Sequence, residues 1–337
     1  MAAKPNVILY RYDASPFSRK IDNTLLLKKV PHQFVNVSLT LPRPEITVLL
    51  GINYRRIPIL AIGNDVYCDT SLIVSALERR FPPADGYGTI FPLAKHGRGT
   101  DTGALKVFAQ FYADSTLFSL APALLPWDRF PEAFIKDRSA LRGAQIDLEA
   151  MKAGRGAALS QLSSHLALLE QQLSDGREWL FDTQLPSLAD ISVHFVLAWV
   201  MSARGPETLF DPKQYPKVLQ WIDRLSDHVQ QQRKLLPAPA KITGDEAAEN
   251  ILKSSHEDYD VVGFDTTEAN RLDIRLGDTV QVAPTDNARD FPVTGKLVAL
   301  NQEEVVIQVQ ALSGIVNCHL PRLTFSIKRA AKLRSKL

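Results

Sequence analysis

Cysteine is scarce: the 337 residues contain two, Cys68 and Cys318. That is too few for a disulfide framework and lacks the paired spacing of a zinc site, so a reducing compartment is expected. The seven histidines show no ligand spacing and no triad partner, which predicts neither a metal nor histidine catalysis. An excess of one charge is also missing. With 39 basic against 37 acidic residues, net +2, the chain has no field for gripping a phosphate backbone, and nucleic acid is not an expected partner. No apolar run approaches the ~18 residues of a membrane span, and the opening Met1-Ala2-Ala3-Lys4-Pro5 lacks the apolar core of a leader. The expectation is therefore a protein neither secreted nor integral to a membrane. Internal repeats and low-complexity tracts are absent too. What is present, 45% hydrophobic and 23% charged residues, fits a folded globular chain, long enough for more than one domain.

Val7-Ile8-Leu9-Tyr10 reads as a strand, followed by a turn with Asp13, Ser15 and Pro16 and a helix over 17–29. A second strand, 33–39, makes a parallel βαβ unit. Residues 56–61 and 65–67 read as a hairpin turning at Gly63-Asn64, and a helix over 70–80 follows. The loop to Gly103, with Gly86, Gly88, Gly97 and Gly99, marks a boundary. From Ala104 to Leu236 the pattern is helical, with Leu159, Leu162, Leu166, Leu169 and Leu173 at three-and-four spacing. After Pro237 comes a polar acidic stretch, then short β-rich runs at 279–282, 295–300, 305–309 and 315–319, with turns at Asp286-Asn287 and Ser313-Gly314. The expected class is α+β multidomain: a thioredoxin-like α/β domain (1–84), an all-α bundle (98–237), a small antiparallel β domain or barrel (250–330), and a tail (331–337).

The chemistry concentrates at 13–20. Ser15 and Ser18 flank the N-terminus of the first helix, with Pro16 where a missing N–H costs nothing. Such a helix end favours negative charge. A thiolate held there gains from the helix dipole and unsatisfied N–H groups, and a hydroxyl adds one more hydrogen bond; each unit of pKa lowering is about 1.4 kcal/mol. The bland reading of Ser15 is an ordinary helix cap.

Ser15-Pro16-Phe17-Ser18 resembles the Ser/Cys-Pro-x-Ser/Cys helix start of the glutathione transferases. Arg56-Ile57-Pro58-Ile59-Leu60 resembles the Lys-Val-Pro-x-Leu segment of that family, whose proline is cis so that the preceding backbone can pair with the cysteinyl part of glutathione. Asp69-Thr70-Ser71-Leu72-Ile73 resembles Glu-Ser-x-x-Ile, which grips the γ-glutamyl end, and Ser187-Leu188-Ala189-Asp190 resembles the family's Ser-x-x-Asp capping motif. The resemblance spans residues 5 to about 235 and implies the helical second half, glutathione as co-substrate and no metal. It places the sulfur at Ser15 and the tripeptide along Phe17, Arg56, Ile57, Pro58, Asp69 and Thr70. An electrophilic small molecule is the implied second substrate, and a homodimer the implied assembly. A serine at this position cannot form a mixed disulfide with glutathione, which disfavours thiol-transfer chemistry. Two alternatives stay open: a non-catalytic binding or scaffold protein using the additional β unit, and a biosynthetic enzyme that uses the pocket without consuming glutathione. Ser18 and Arg19 are weaker candidates, and Cys68 reads as a buried small hydrophobe. Phe108, Phe111, Tyr112 and Phe118 form a stripe that serves core, pocket or both.

The chain ends in Ser335-Lys336-Leu337 behind Lys328, Arg329, Lys332 and Arg334. This is the peroxisomal tripeptide, read by an import receptor; the alternative is a basic helical tail. An N-terminal fluorescent fusion is expected to be punctate with the last three residues and cytosolic without them. A cytosolic signal in both contradicts the address.

Overall fold

The computed structural model describes residues 5–97, 99–202 and 208–330. Strand β1 (Val7–Arg11) lies parallel to β2 (Gln33–Asn36) and antiparallel to β3 (Ile59–Ile62), which turns at Gly63-Asn64 into β4 (Asp65–Cys68). Between them run α1 (Pro16–Leu27) and the short α2 (Pro44–Thr47); α3 (Thr70–Arg80) follows β4. Side chains alternate along each strand. Val7, Leu9, Leu60, Ile62 and Tyr67 therefore pack with α1 and α3, while Ile8, Tyr10, Ile59, Ala61, Val66 and Cys68 face the other way.

The helical half begins with α4 (Thr102–Val107), which widens into a π-helical stretch, Phe108–Leu117, and ends in the short α5 (Phe118–Leu120). It continues as α6 (Glu132–Arg142), α7 (Leu148–Gln172), α8 (Leu188–Ser202) and α9 (Pro216–Leu235). Leu162, Leu166, Leu169 and Leu173 of the leucine stripe lie in its core with Phe195 and Trp221. Asp190 does more than cap. Its buried carboxylate accepts from the Ser187 N–H (2.9 Å) and hydroxyl (2.7 Å), and also from Leu180 N (2.9 Å) and Trp221 Nε1 (2.9 Å). It pins the start of α8 to α9 and to the loop before it.

Past residue 237 the chain adds the expected antiparallel β unit, whose strands continue the first sheet. β5 (Ala240–Lys241) pairs with β2, and α10 (Gly244–Lys253), in the stretch read as polar and acidic, starts at a capping box of Thr243 and Glu246. Its buried Ala247, Ala248 and Ile251 belong to the same core as the second face of the first sheet. After α11 (Tyr259–Val262) and α12 (Thr266–Arg271) come β6 (Thr279–Pro284), β7 (Val293–Leu300), β8 (Glu304–Ala311), β9 (Gly314–Pro321) and β10 (Phe325–Arg329). They form an antiparallel array, and β9 then lies parallel to β4, giving one sheet in the order β10-β6-β7-β8-β9-β4-β3-β1-β2-β5. β10 escaped the sequence reading because Lys328 and Arg329 mask its apolar residues, Phe325 and Ile327. Two glycines of the first half mark the close approach. A Cβ on Gly51 would stand 2.1 Å from the Gln310 carbonyl oxygen, and one on Gly63 2.5 Å from that of Ser255; both have positive φ.

The β4–β9 seam carries a buried ionic network. His319 Nε2 meets Asp65 Oδ1 at 3.1 Å and Nδ1 meets Glu304 Oε2 at 2.8 Å. Arg80 bonds Asp65 (2.9 Å), and Arg79 bonds both Glu304 (2.7 Å) and Glu257 (2.9 Å). The Glu257 N–H donates to Asp65, and the Tyr67 ring lies 4.3 Å from the imidazole. Carboxylates on both ring nitrogens require both to be donors, hence an imidazolium. Burial opposes that charge, but Asp65 and Glu304 override it and raise the His319 pKa to about 9. On the opposite face of the same seam Cys68 and Cys318, both buried free thiols, approach to 3.8 Å.

Because the folded pKa of His319 lies above its unfolded value, its contribution is complete below pH 6.5 or so and is lost as pH rises through about 9. Urea unfolding across pH 7–10 is expected to show that loss in the wild type and not in His319→Gln, which at pH 7 is destabilised by ~3–5 kcal/mol because two buried carboxylates lose the cation between them. Equal stability of the two at pH 7 contradicts this account.

Candidate active site

Ser15 is the cap of α1: its backbone is extended (φ −79°, ψ 119°), and its Oγ accepts from Ser18 N at 3.1 Å. The hydroxyl proton is committed to no acceptor among the described residues, so Ser15 can cap the helix and still donate. Ser18 is fully buried, its Oγ without a partner among the described residues, and Arg19 points to solvent. The Phe17 ring packs into the helical core, 4.6 Å from Phe118 and 5.1 Å from Phe195. What this residue can offer a ligand is its backbone.

The Ile57–Pro58 peptide is cis, and the segment leads into β3. Beyond the β3–β4 hairpin, Asp69 holds φ at 73°, uncommon without glycine, and caps α3. One carboxylate oxygen accepts from Ser71 N (3.0 Å) and Oγ (2.7 Å). The other meets the Tyr54 hydroxyl (3.4 Å) and Arg56 Nη1 (3.6 Å). Arg56 also pairs with Asp286 and donates to the Asn287 carbonyl, both on the β6–β7 connection. Burial works against the guanidinium's charge, but Tyr54, Asp69 and Asp286 outweigh it and raise its pKa. Burial, reinforced by Asp69, pushes the Tyr54 phenol well up.

Thr70 reaches the helical half: its Oγ1 donates to Asp114 Oδ2 (3.4 Å), which also takes the buried Lys20 ammonium at 2.6 Å. Asp114 Oδ1 is buried with no partner among the described residues, and burial, opposed by Lys20, raises this carboxyl's pKa. Lys20 and Asp114 also line a cleft with Ser71 and Ser75 of α3, Lys106 and Glu303, beside the candidate γ-glutamyl end. Of the aromatic stripe, Phe108 stacks on Tyr112 (4.7 Å) and Phe118 on Trp199 (5.6 Å), whereas Phe111 is 40% exposed. Sequence reasoning missed Lys20, Tyr54, Asp114 and Asp286. Only the apolar surroundings of Lys20 and Asp114 in amphipathic helices hinted at burial; nothing local marks Tyr54 or Asp286.

A thioredoxin-like sheet with a serine-capped α1, a cis proline before β3 and an acidic cap on α3, followed by an all-helical half, defines a class. Residues 9–85 match the family described as glutathione S-transferase, N-terminal domain, and residues 118–234 match one described as a domain of unknown function (DUF7962). Glutathione S-transferase U1 of Arabidopsis thaliana is 23% identical over 227 residues, 66% of this chain and 85% of that protein. The structure is similar to that of a GST-like protein from Pseudomonas syringae, with TM-score 0.73 and 25% identity over 97% of this chain and 100% of the other. That similarity includes the C-terminal unit. Rice GST1, solved in complex with glutathione, shares the fold at TM-score 0.50 and 19% identity over 74% of this chain and 96% of its own. Residues 9–85 are thus similar to the N-terminal domain of glutathione S-transferases, and the fold as a whole is similar to that of a GST-like protein.

Asp114→Asn is expected to cost ~3–5 kcal/mol by stranding Lys20 in the interior, whereas the double variant Lys20→Met/Asp114→Leu recovers most of it. Urea unfolding of the three proteins checks this; an unperturbed Asp114→Asn contradicts it.

Proposed function

We propose that the protein is a glutathione-dependent transferase in which Ser15 donates its hydroxyl hydrogen bond to the glutathione thiolate. The observation that carries this reading is the Ser15 hydroxyl at the start of α1, its oxygen occupied by Ser18 N and its proton uncommitted among the described residues. A thiolate there gains from the helix dipole and that donor, so its proton leaves to solvent at lower pH than in free glutathione. The sulfur lone pair then forms a bond to an electrophilic carbon, with expulsion of a leaving group, or adds reversibly to a double bond and isomerises it. Positioning both reactants supplies the remaining rate. Glutathione would lie along Ile57 and Pro58 with its γ-glutamyl end at Asp69 and Thr70, and no metal is required. The terminal tripeptide, outside the described residues, would place this chemistry in the peroxisome.

A second reading, a binding protein that keeps the fold without turnover, draws on a specific observation: the Asp69 carboxylate is already engaged by Ser71, Tyr54 and Arg56.

Calorimetric titration with reduced glutathione is expected to show saturable binding, weakened about tenfold or more by Asp69→Ala. The bound thiol pKa should be lowered by about one unit or more and rise again in Ser15→Ala, each unit being about 1.4 kcal/mol. Absence of binding at millimolar glutathione contradicts the transferase reading, and binding with an unshifted thiol pKa favours the second.

A further inference from the structure

The C-terminal unit contributes a residue to the candidate site. Arg56 stands immediately before Ile57 and Pro58, and its guanidinium is shared by two carboxylates of the chain itself, Asp69 from the start of α3 and Asp286 from the β6–β7 connection. Asn287 adds its carbonyl oxygen to the same guanidinium nitrogen.

The connection, residues 285–292, is held at several other points. Thr285 donates from its N–H (2.9 Å) and hydroxyl (3.1 Å) to the Thr324 carbonyl. Ala288, at φ 61°, donates its N–H to the Leu141 carbonyl at the end of α6 (2.7 Å). Arg289 lies against Gly143, where a Cβ would meet the guanidinium at 3.4 Å. The Phe291 ring lies 4.7 Å from the Arg55 guanidinium, which is paired with Asp137 of α6 at 2.9 Å. With the backbone anchored to β10 and to the helical half, Asp286 is the side chain this connection sends to Arg56, and it remains 58% exposed. Its partner among the described residues is Arg56.

We propose that Asp286 is a stand-in for a ligand carboxylate: it holds Arg56 and is displaced when a carboxylate-bearing tripeptide binds. This rests on the reading of the site as a glutathione site. On that reading the γ-glutamyl end lies at Asp69 and Thr70 and the cysteinyl part at Ile57, so Arg56, the residue before it in the bend that leads to β3, meets the glycyl end. Two carboxylates against one guanidinium leave that end of the site with an uncompensated negative charge. A glycyl carboxylate must therefore exchange with Asp286 rather than join it. The exchange is inexpensive, because a half-exposed ion pair contributes little, but it lowers apparent affinity by the fraction of protein in which Arg56 is held. Asp286 thereby sets how strongly the site discriminates a free glycyl carboxylate from a neutralised one.

The test is calorimetry on the full-length protein with reduced glutathione and with its glycyl monoethyl ester, using wild type, Asp286→Asn, Arg56→Gln and the double variant. Asp286→Asn is expected to bind glutathione about three- to fivefold more tightly. The gain should disappear when Arg56 is also replaced and should be under about twofold for the ester. Unchanged glutathione affinity in Asp286→Asn, a gain that survives Arg56→Gln, or an equal gain for the ester overturns the proposal while leaving the glutathione site intact. No binding of either compound to any of the four proteins overturns the reading of the site itself, and the proposal with it.

Discussion

The pairing of β4 with β9 is the constraint on which the rest of the molecule depends. An edge strand presents unpaired backbone groups and must be covered, blunted or joined, and here it is joined by a strand that arrives some 250 residues later. The same union covers the face carrying Ile8, Tyr10, Ile59, Val66 and Cys68. At ~1.5–3 kcal/mol for each large apolar side chain fully buried, that face is worth of order 10 kcal/mol, comparable to the entire net stability of a domain. The thioredoxin-like half and the C-terminal unit therefore share one core. The ionic network around His319 adds register more than energy, because a buried cluster of charges is stable only with every partner in place.

This union shapes the candidate site. Cys68, at the end of β4, precedes Asp69, so the strand that carries the seam also delivers the cap of α3. Tyr54, whose hydroxyl meets Asp69, stacks on Phe325 of β10 at 6.3 Å. Arg56 reaches the β6–β7 connection, and Lys106 of α4 pairs with Glu303 at 2.6 Å. The helical half contributes through Asp114, which takes Lys20 from α1 and Thr70 from α3 on one oxygen. Three parts of the chain thus meet around Ser15, Ile57 and Asp69, and the additional unit forms part of the wall.

Much of this was legible in the sequence. Period-two and period-3.6 patterns placed the first sheet and the long helices because those elements bury one face each, as Val7 and Leu9 or Leu162 and Leu166 do. Caps and turn residues, Gly63-Asn64 and Ser187 with Asp190 among them, are local signals with local causes. The joining of β4 to β9 was not legible, since a strand's polar edge groups carry no sequence signature of their partner, and neither was the meeting of Cys68 with Cys318. α10 hid behind the acidic residues of its exposed face, and β10 behind Lys328 and Arg329. Asp286 looked like an ordinary turn residue because its role depends on a residue 230 positions away.

That the C-terminal unit completes the core of the glutathione-transferase-like half is tested most directly by comparing the full chain with one ending at residue 237. Near-ultraviolet circular dichroism and dye binding to exposed apolar surface are the measurements. The shortened chain is expected to lose fixed aromatic packing and bind the dye strongly, or to be recovered only as aggregate. A soluble 1–237 chain that unfolds cooperatively at the temperature of the full protein would contradict it.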